Sequence, residues 1–274
     1  TADRRLPKRG DSPDMQTNDV FLTNRAKAAL TRGECVVGTM VCELASAAVP
    51  RMLAQGGMEF VIFDAEHGVF TTESIADLAA ASRLCGITPI VRIPEIRRET
   101  VSRTLDLGAQ GILVPQVRHE DEVSEVVRYA KFSPIGERGV ALGRTHSNYA
   151  KGDASEWMAR LNASTLVMIQ IETSEALDRL EAIASVPGID GLFIGPNDLA
   201  SSLGVPGKLD HPRVVEAFER VIAACNSRSL VAGTHLFDSG AARAWKAKGI
   251  RLLTVGNDIS MIVEGSRRLV EGVA

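Results

Sequence analysis

The sequence has few aromatic residues and no cysteine spacing of the kind that binds metals. Aromatic side chains make up 4% of its 274 residues, and the four cysteines form no C-x-x-C pair. Isolated thiols are typical of the reducing cytoplasm, where disulfides are rare. We therefore expect a cytoplasmic protein that has neither a disulfide framework nor a cysteine-bound zinc ion.

The chain also lacks an excess of positive charge and any long hydrophobic run. Its formal net charge is −3 and its pI is near 6.0. This balance argues against nucleic acid or an anionic membrane as the main partner. No apolar stretch approaches the roughly 20 residues needed to span a bilayer. We therefore expect neither nucleic acid nor a membrane as a partner.

Two kinds of catalytic motif are missing as well. There is no G-x-G-x-x-G or Walker-type phosphate loop. A Schiff-base aldolase needs a buried lysine on a barrel strand, and no lysine falls on a predicted strand. The lysines are Lys8, Lys27, Lys131, Lys151, Lys208, Lys246 and Lys248. This absence argues against imine chemistry and leaves metal-stabilised enolate chemistry as the remaining route.

What the chain does contain is a series of eight short apolar runs, each alternating with a longer helical pattern. The runs are nearly continuous in apolar character, as expected for parallel strands covered on both faces. We place the strands at 35–41, 60–66, 88–94, 111–117, 166–172, 191–197, 230–236 and 251–257. Eight such units predict an α/β fold, a (β/α)₈ TIM barrel, with a doubly wound sheet as the alternative.

We expect one barrel domain over residues 21–274, preceded by a flexible extension of residues 1–20. One excursion, residues 132–164, interrupts the pattern between the fourth helix and the fifth strand. It is rich in glycine, serine and arginine. Insertions of this length are typically functional.

Two acidic residues stand where predicted strands end. Glu172 closes the run 166–172, and Asp198 directly follows the run 191–197. Parallel strands of a barrel end at one mouth, where the active site lies, so both carboxylates are expected there. Carboxylate oxygens suit an ion such as Mg²⁺ or Mn²⁺. The alternative left open by spacing alone is that the two residues only stabilise helix starts.

Predicted strand two leads into a histidine that shares its turn with an aspartate. A carboxylate bonded to one ring nitrogen, here Asp64 to His67, fixes the tautomer and leaves the other nitrogen for proton transfer. This arrangement predicts an acid/base catalyst. The alternative is a half-buried His67 that hydrogen-bonds to loop backbone.

One arginine lies inside an apolar run, and one aspartate ends a helical pattern. A guanidinium at the position of Arg92 is costly unless an anion pairs with it. The candidates are Asp64, Asp106 and a developing substrate oxyanion. Asp106 sits at the carboxyl end of a helix, which disfavours negative charge, so it needs a cationic partner unless it is solvated.

Six motifs together resemble the HpcH/HpaI aldolase family. They are FDAEHG, TPIVRIP, LDLGAQGILVPQV, SPIGERG, QIET and VPGIDGLFIGPNDLASSLG, in this order. The resemblance implies a barrel of the phosphoenolpyruvate/pyruvate type, commonly a homohexamer that exchanges its last helix. It implies a class II lyase, associated with aromatic-compound catabolism, that uses Mg²⁺, Mn²⁺ or Co²⁺. Such an enzyme cleaves or forms 4-hydroxy-2-oxo acids through a metal-bound pyruvate enolate and yields pyruvate plus an aldehyde.

The resemblance also implies roles for individual residues. Glu172 and Asp198 match the metal ligands, and His67, oriented by Asp64, matches the acid/base. Arg92 matches the group that holds the keto oxygen and stabilises the enolate.

Three further matches concern the substrate and its surroundings. Gln170 and the backbone around Asn197 and Asp198 match pyruvate-binding elements, and Asp106 matches a supporting charge. Asn197 stands where members typically have a small residue. This departure leaves the acceptor aldehyde open.

A related branch, the macrophomate synthase type, decarboxylates oxaloacetate and uses the same enolate. Oxaloacetate decarboxylation is therefore the alternative function, with a 2-oxo acid of the pyruvate or oxaloacetate type as substrate in either case. A non-catalytic barrel that senses a keto acid is a third possibility, and the intact set of site residues argues against it.

Overall fold

The eight predicted strands close into one parallel barrel in the computed structural model, which describes residues 23–150 and 152–273. The strands are β1 (Val36–Val41), β2 (Phe60–Asp64), β3 (Thr88–Arg92), β4 (Gly111–Val114), β5 (Leu166–Ile171), β6 (Gly191–Ile194), β7 (Val231–Leu236) and β8 (Leu252–Asn257). Because β1 pairs with β8 as well as with β2, the sheet has no edge. The TIM barrel is thus confirmed, and the doubly wound alternative is wrong.

Helices surround this barrel and connect its strands. They are α1 (Arg25–Thr31), α2 (Ala48–Gln55), α3 (Thr72–Leu84), α4 (Arg98–Asp106), α5 (Glu120–Ala130), α6 (Ala154–Ser164), α7 (Ser174–Asp178), α8 (Leu180–Ala184), α9 (Pro196–Ser202), α10 (Pro212–Ser227), α11 (Ser239–Ala247) and α12 (Asp258–Glu271). The start of α3 illustrates why these residues form helices: the Thr71 hydroxyl accepts from the Ser74 N–H, and the Ser74 hydroxyl accepts from the Thr71 N–H. No helix within the two described ranges is long and apolar enough to cross a membrane.

Alternation along the strands decides which side chains reach the barrel mouth. Phe60 and Ile62 of β2 are fully buried in the inner layer of the barrel. Side chains two residues apart share a face of a strand, so Asp64 is the next side chain of β2 to point inward. The same rule places a polar side chain inside the mouth on three other strands. Arg92 follows the inner-layer residue Ile90, Gln170 follows Met168, and His235 follows Val231.

The excursion at residues 132–164 contains regular secondary structure. It contains a 3₁₀ turn at Thr145–Ser147 and ends in α6. The amide of Asn162 closes it, since Oδ1 accepts from the Phe132 N–H at 2.7 Å and Nδ2 donates to the Phe132 carbonyl at 2.9 Å. The proposed extension at residues 1–20 lies outside the described residues.

Candidate active site

A cavity of about 220 Å³ opens at the carboxyl ends of the strands. Its lining comprises Met40, Cys42, Asp64, His67, Arg92, Gln170, Phe193, Gly195, Pro196, Asn197, Asp198, His235, Phe237 and Asn257. Six of the eight residues predicted for the site are in this set. Glu172 lies beside the cavity against Gln170, and Asp106 lies elsewhere.

The most tightly bound pair in the cavity joins β2 to β3. Asp64 and Arg92 stand opposite each other in the parallel register. Arg92 donates from Nε to Asp64 Oδ1 at 2.8 Å and from Nη2 to Oδ2 at 2.5 Å. Burial alone would raise the pKa of Asp64, but the two bonds and the charge of Arg92 outweigh it and hold that pKa below its ordinary value. The expectation that Arg92 pairs with an anion is confirmed, and Asp64 is that anion.

This pairing changes the surroundings of His67. Asp64 Oδ1 accepts from the backbone N–H of His67 at 3.3 Å, and it does not contact the imidazole. The ring is 68% exposed, and its Nε2 lies 3.8 Å from Oε1 of Glu66. The prediction that Asp64 orients the His67 ring is therefore wrong, because Asp64 is engaged by Arg92 across the strand pair.

Glu172 is held by neutral donors. Its side chain is 1% exposed. Oε1 accepts from the Gln116 backbone N–H at 2.6 Å, and Oε2 accepts from the Gln170 amide. Burial raises the pKa of Glu172, and these two donors offset that effect only in part. Since Glu172 precedes α7 and lies in no helix, the helix-start alternative is wrong for this residue.

Two further carboxylates add negative charge around Glu172. The charges of Asp198 and Glu66 both raise the pKa of Glu172. Asp198 lies in the first turn of α9, as the helix-start alternative supposed, but none of the described residues donates a hydrogen bond to its side chain. Oε2 of Glu66 is buried without a hydrogen bond in the described part of the chain, 3.4 Å from Arg92 Nε.

The carboxylate oxygens of Glu172 and Asp198 suit a hard divalent cation. Glu172 and Asp198 supply oxygen ligands only, which Mg²⁺ and Mn²⁺ prefer. No group of three or more His, Cys, Asp or Glu side chains among the described residues could hold a metal ion. An ion held by Glu172 and Asp198 would keep its other positions for water and substrate oxygens.

Gly195 keeps the space beside Glu172 open. A Cβ at this position would lie 2.7 Å from Glu172 Oε2 and 2.9 Å from Gln170 Nε2. Both distances are shorter than real Cβ contacts. The sequence GPND therefore begins with glycine because any side chain there would displace the carboxylate.

Asp106 does not join the cavity. It ends α4, and its Oδ1 accepts from Arg138 Nη2 at 2.6 Å and from Arg138 Nε at 3.2 Å. A helix that follows a barrel strand runs back toward the opposite end of the barrel, so its last residue lies away from the mouth. The expected cationic partner exists, but the expectation that Asp106 stands in the site is wrong for a single copy of the chain.

One buried lysine deserves comparison with a Schiff-base nucleophile. Burial lowers the pKa of Lys131 to about 8. Its ammonium donates to the carbonyls of Asn162 and Thr165, both at 2.8 Å. Thr165 precedes the first residue of β5, at the end of the barrel opposite the mouth. Lys131 therefore has a structural role far from the cavity.

The structure brings to the site two groups for which the sequence pattern predicted no role. Glu66 lies beside the His67 ring, and His235 points into the cavity from β7. The signal for His235 was present: it stands four residues after the inward-facing Val231, so strand alternation places it inside the barrel.

Comparisons with known proteins agree with the barrel fold. The model of the HpcH/HpaI aldolase/citrate lyase family matches residues 39–264. A pyruvate aldolase of Rhizobium etli is 34% identical over 246 residues, which are 90% of this chain and 96% of that protein.

Two solved structures share the whole barrel. An HpcH/HpaI aldolase from Desulfitobacterium hafniense has a TM-score of 0.86 and 31% identity, covering 90% of this chain and 95% of that one. Macrophomate synthase has a TM-score of 0.79 and 26% identity, covering 92% of this chain and 89% of that one.

Proposed function

Because the chain belongs to the HpcH/HpaI aldolase/citrate lyase family, we propose that it is a divalent-metal-dependent class II aldolase. The substrates are 4-hydroxy-2-oxo acids, and cleavage gives pyruvate and an aldehyde through the enolate of pyruvate. Full-length relatives named as aldolases support carbon–carbon lyase activity.

The observation that carries the proposal is the buried carboxylate of Glu172, to which no lysine or arginine of the described residues donates a hydrogen bond. Its hydrogen-bond donors are neutral amides, and the nearby guanidinium of Arg92 is bonded to Asp64. A buried charge is costly unless it is paired, so Glu172 and Asp198 together suit a bound Mg²⁺, Mn²⁺ or Co²⁺. Such an ion, when bound, supplies Lewis-acid polarisation of the keto oxygen.

The proton transfers fall to side chains of the chain itself. In cleavage, the C4 hydroxyl loses its proton and its oxygen forms the C=O bond of the departing aldehyde. The C3–C4 bonding pair moves to the C2–C3 bond, and the π pair of the C2 carbonyl moves onto its oxygen to give the enolate. We assign the acceptance of that proton to Nε2 of His67, whose exposed ring can reach a substrate in the cavity. Glu66 Oε1 lies 3.8 Å from that nitrogen, which is too far for a hydrogen bond and leaves Nε2 free to take the proton.

Arg92 is placed to stabilise the enolate oxygen. Asp64 engages its Nε and Nη2, so the guanidinium is fixed while Nη1 stays out of that pairing. A preorganised donor of this kind lowers the barrier because it need not reorient as charge develops. His67 then returns the proton it accepted to C3 of the enolate, which gives pyruvate.

The remaining predicted residues surround the pyruvate moiety. Gln170 lines the cavity, and its Oε1 is buried without a hydrogen bond among the described residues. The first-turn N–H groups of Asn197 and Asp198 have no helical partners and suit the carboxylate of the substrate. These groups support the role proposed for Gln170, Asn197 and Asp198 in binding the 2-oxo acid.

Self-association through the last helix is part of the proposal. Much of the apolar surface of α12 is exposed, including Ile262 at 53%, Leu269 at 75% and Val270 at 69%. Exposed apolar patches of this kind mark interaction surfaces, and a homohexamer accounts for them. Light scattering after size-exclusion chromatography should give an oligomer for the wild type and smaller species for Leu269→Glu. A monomeric wild type would contradict self-association through α12.

The deciding experiment measures pyruvate release with a coupled lactate dehydrogenase assay. The substrates are 4-hydroxy-2-oxopentanoate and oxaloacetate, each with and without Mg²⁺, Mn²⁺ or Co²⁺. Metal-dependent cleavage of the hydroxy acid, lost in Glu172→Gln and Asp198→Asn and kept in the exposed control Glu181→Gln, is the expected result.

Other outcomes have definite meanings. Turnover of oxaloacetate alone supports the decarboxylase alternative, which the likeness to macrophomate synthase favours as the second candidate. Turnover of neither substrate, with ligand-dependent thermal stabilisation, indicates a binding protein. Full activity of Glu172→Gln contradicts the metal assignment.

A further inference from the structure

His235 is a polar side chain of the cavity that the proposed chemistry does not use. It lies near the end of β7, lines the cavity, and is largely shielded from solvent. Its Nδ1 is 3.0 Å from Oγ1 of Thr254 on the neighbouring strand β8. Its ring meets Phe237 edge-on, with 4.7 Å between ring centroids. The ring is therefore held on two sides, and its remaining nitrogen is Nε2.

The hydrogen bonds of Thr254 determine the tautomer of His235. A hydroxyl has a single proton to donate, and Thr254 donates it to the carbonyl of Thr234 at 3.1 Å. Thr254 Oγ1 must therefore act as the acceptor toward His235, so Nδ1 carries the ring proton. Nε2 then presents a lone pair, and no described residue donates to it.

The surroundings keep the ring in this neutral form. Burial, with the positive charge of Arg92 as a second cause, lowers the pKa of His235 to about 4. At neutral pH the ring is thus an acceptor at Nε2 and a donor only toward Thr254.

We propose that Nε2 of His235 accepts a hydrogen bond from a hydroxyl on the aldehyde portion of the substrate, so that the enzyme prefers hydroxyaldehydes to alkyl aldehydes. The proposal rests on the aldolase function proposed above. Arg92, Asn257 and the N–H groups of the cavity are donors, and the carboxylates are engaged or reserved for a cation. The other neutral acceptor, Gln170 Oε1, is assigned to the 2-oxo acid portion of the substrate, so Nε2 of His235 is the acceptor left for an alcohol on the aldehyde portion. An alkyl aldehyde leaves that acceptor unpaired in a shielded position, which is how a site rejects a substrate that lacks a hydroxyl.

Competing acceptors of equal length test the preference. The assay is the addition of pyruvate to glyceraldehyde or to propanal, with kcat/KM measured for each. The ratio for wild type should favour glyceraldehyde, and in His235→Phe it should fall about tenfold, the size of one neutral hydrogen bond. His235→Gln, which offers an amide oxygen, should recover part of the ratio. The proposal is overturned if the glyceraldehyde-to-propanal ratio of kcat/KM is the same in wild type and His235→Phe. This holds whether the two rates fall together or stay unchanged.

The tautomer has its own readout, which needs no turnover. In protein labelled with ¹⁵N-histidine, the His235 signals, assigned from their loss in His235→Phe, should show a protonated Nδ1 and an unprotonated Nε2. A protonated Nε2 overturns the proposal. Thr254→Val removes the acceptor for Nδ1–H, so it should mix the tautomers and lower the glyceraldehyde preference. If wild type adds pyruvate to neither aldehyde, the aldolase function fails, while the tautomer assignment is still decided by the spectrum.

Discussion

Gly195→Ala tests the proposed metal site at Glu172 without removing a functional group. The added Cβ would lie 2.7 Å from Glu172 Oε2, whereas ordinary contacts begin at 3.4 Å. The backbone at Gly195 has φ −93°, which alanine tolerates. The carboxylate must therefore retreat by more than the tolerance of about 0.2 Å that a metal–ligand distance allows.

The size of the effect follows from what the carboxylate can do. Glu172 is held by Gln116 and Gln170, so a retreat also strains those two bonds. Disturbed support of a metal ligand typically costs about 10- to 100-fold in affinity, and a forced methyl in a packed site costs about 1–3 kcal/mol of stability. We expect Gly195→Ala to bind Mn²⁺ at least about tenfold more weakly and to lose activity in parallel.

The assay is calorimetric titration of Mn²⁺, with thermal unfolding measured on the same samples. Gly265→Ala adds the same methyl group where no atom lies within 4 Å, so its Mn²⁺ affinity should match that of the wild type. Wild-type Mn²⁺ affinity in a folded Gly195→Ala protein would refute the placement of the ion at Glu172.

Three further predictions follow from single contacts. Asp64→Asn removes the carboxylate bonded to the buried Arg92 and leaves Glu66 at 3.4 Å, so it should lower the free energy of unfolding, measured with urea, by about 3 kcal/mol. Glu125→Gln, which breaks an exposed pair, should change it far less. The pKa of His235 is about 4 in the folded protein and 6.5 ordinarily, so between these pH values the unfolded chain binds more protons than the folded protein. The free energy of unfolding should therefore fall as the pH drops from 6.5 to about 4. His235→Phe should flatten that part of a Tm–pH curve. Borohydride with pyruvate should add no mass at Lys131, because its ammonium is bonded to carbonyls at the far end of the barrel; a reduced adduct there contradicts this.

The barrel was predictable because the apolar pattern of each strand and the regular alternation of strands and helices indicate the same fold. Each strand begins within one residue of the predicted start, since the apolar runs are buried on both faces. Several predicted runs extend up to three residues too far, to positions such as Glu66 and Gln116. These residues continue the runs in sequence, but they leave the sheet at the mouth and contribute to the site.

Which side chains of the site pair with each other was less predictable from the sequence. Asp64 lies close to His67 in sequence, which suggested a pair, yet the parallel register places it opposite Arg92. Register depends on the whole barrel and not on neighbours in the chain. The same limit explains Asp106, whose distance from the mouth follows from the length and direction of α4.

The charges of the site predict the order in which the proposed metal ion and substrate bind. Asp64 neutralises Arg92, so Glu66, Glu172 and Asp198 remain as the net charge facing an anionic 2-oxo acid. Like charges in a partly buried cavity repel strongly, so pyruvate should bind only after a divalent cation. Calorimetry should detect pyruvate binding with Mn²⁺ present and none in metal-free protein. In Glu172→Gln, where one repelling charge is gone, weak metal-free binding should appear. Equal pyruvate affinity with and without Mn²⁺ would mean that Arg92 and the backbone donors alone hold the substrate.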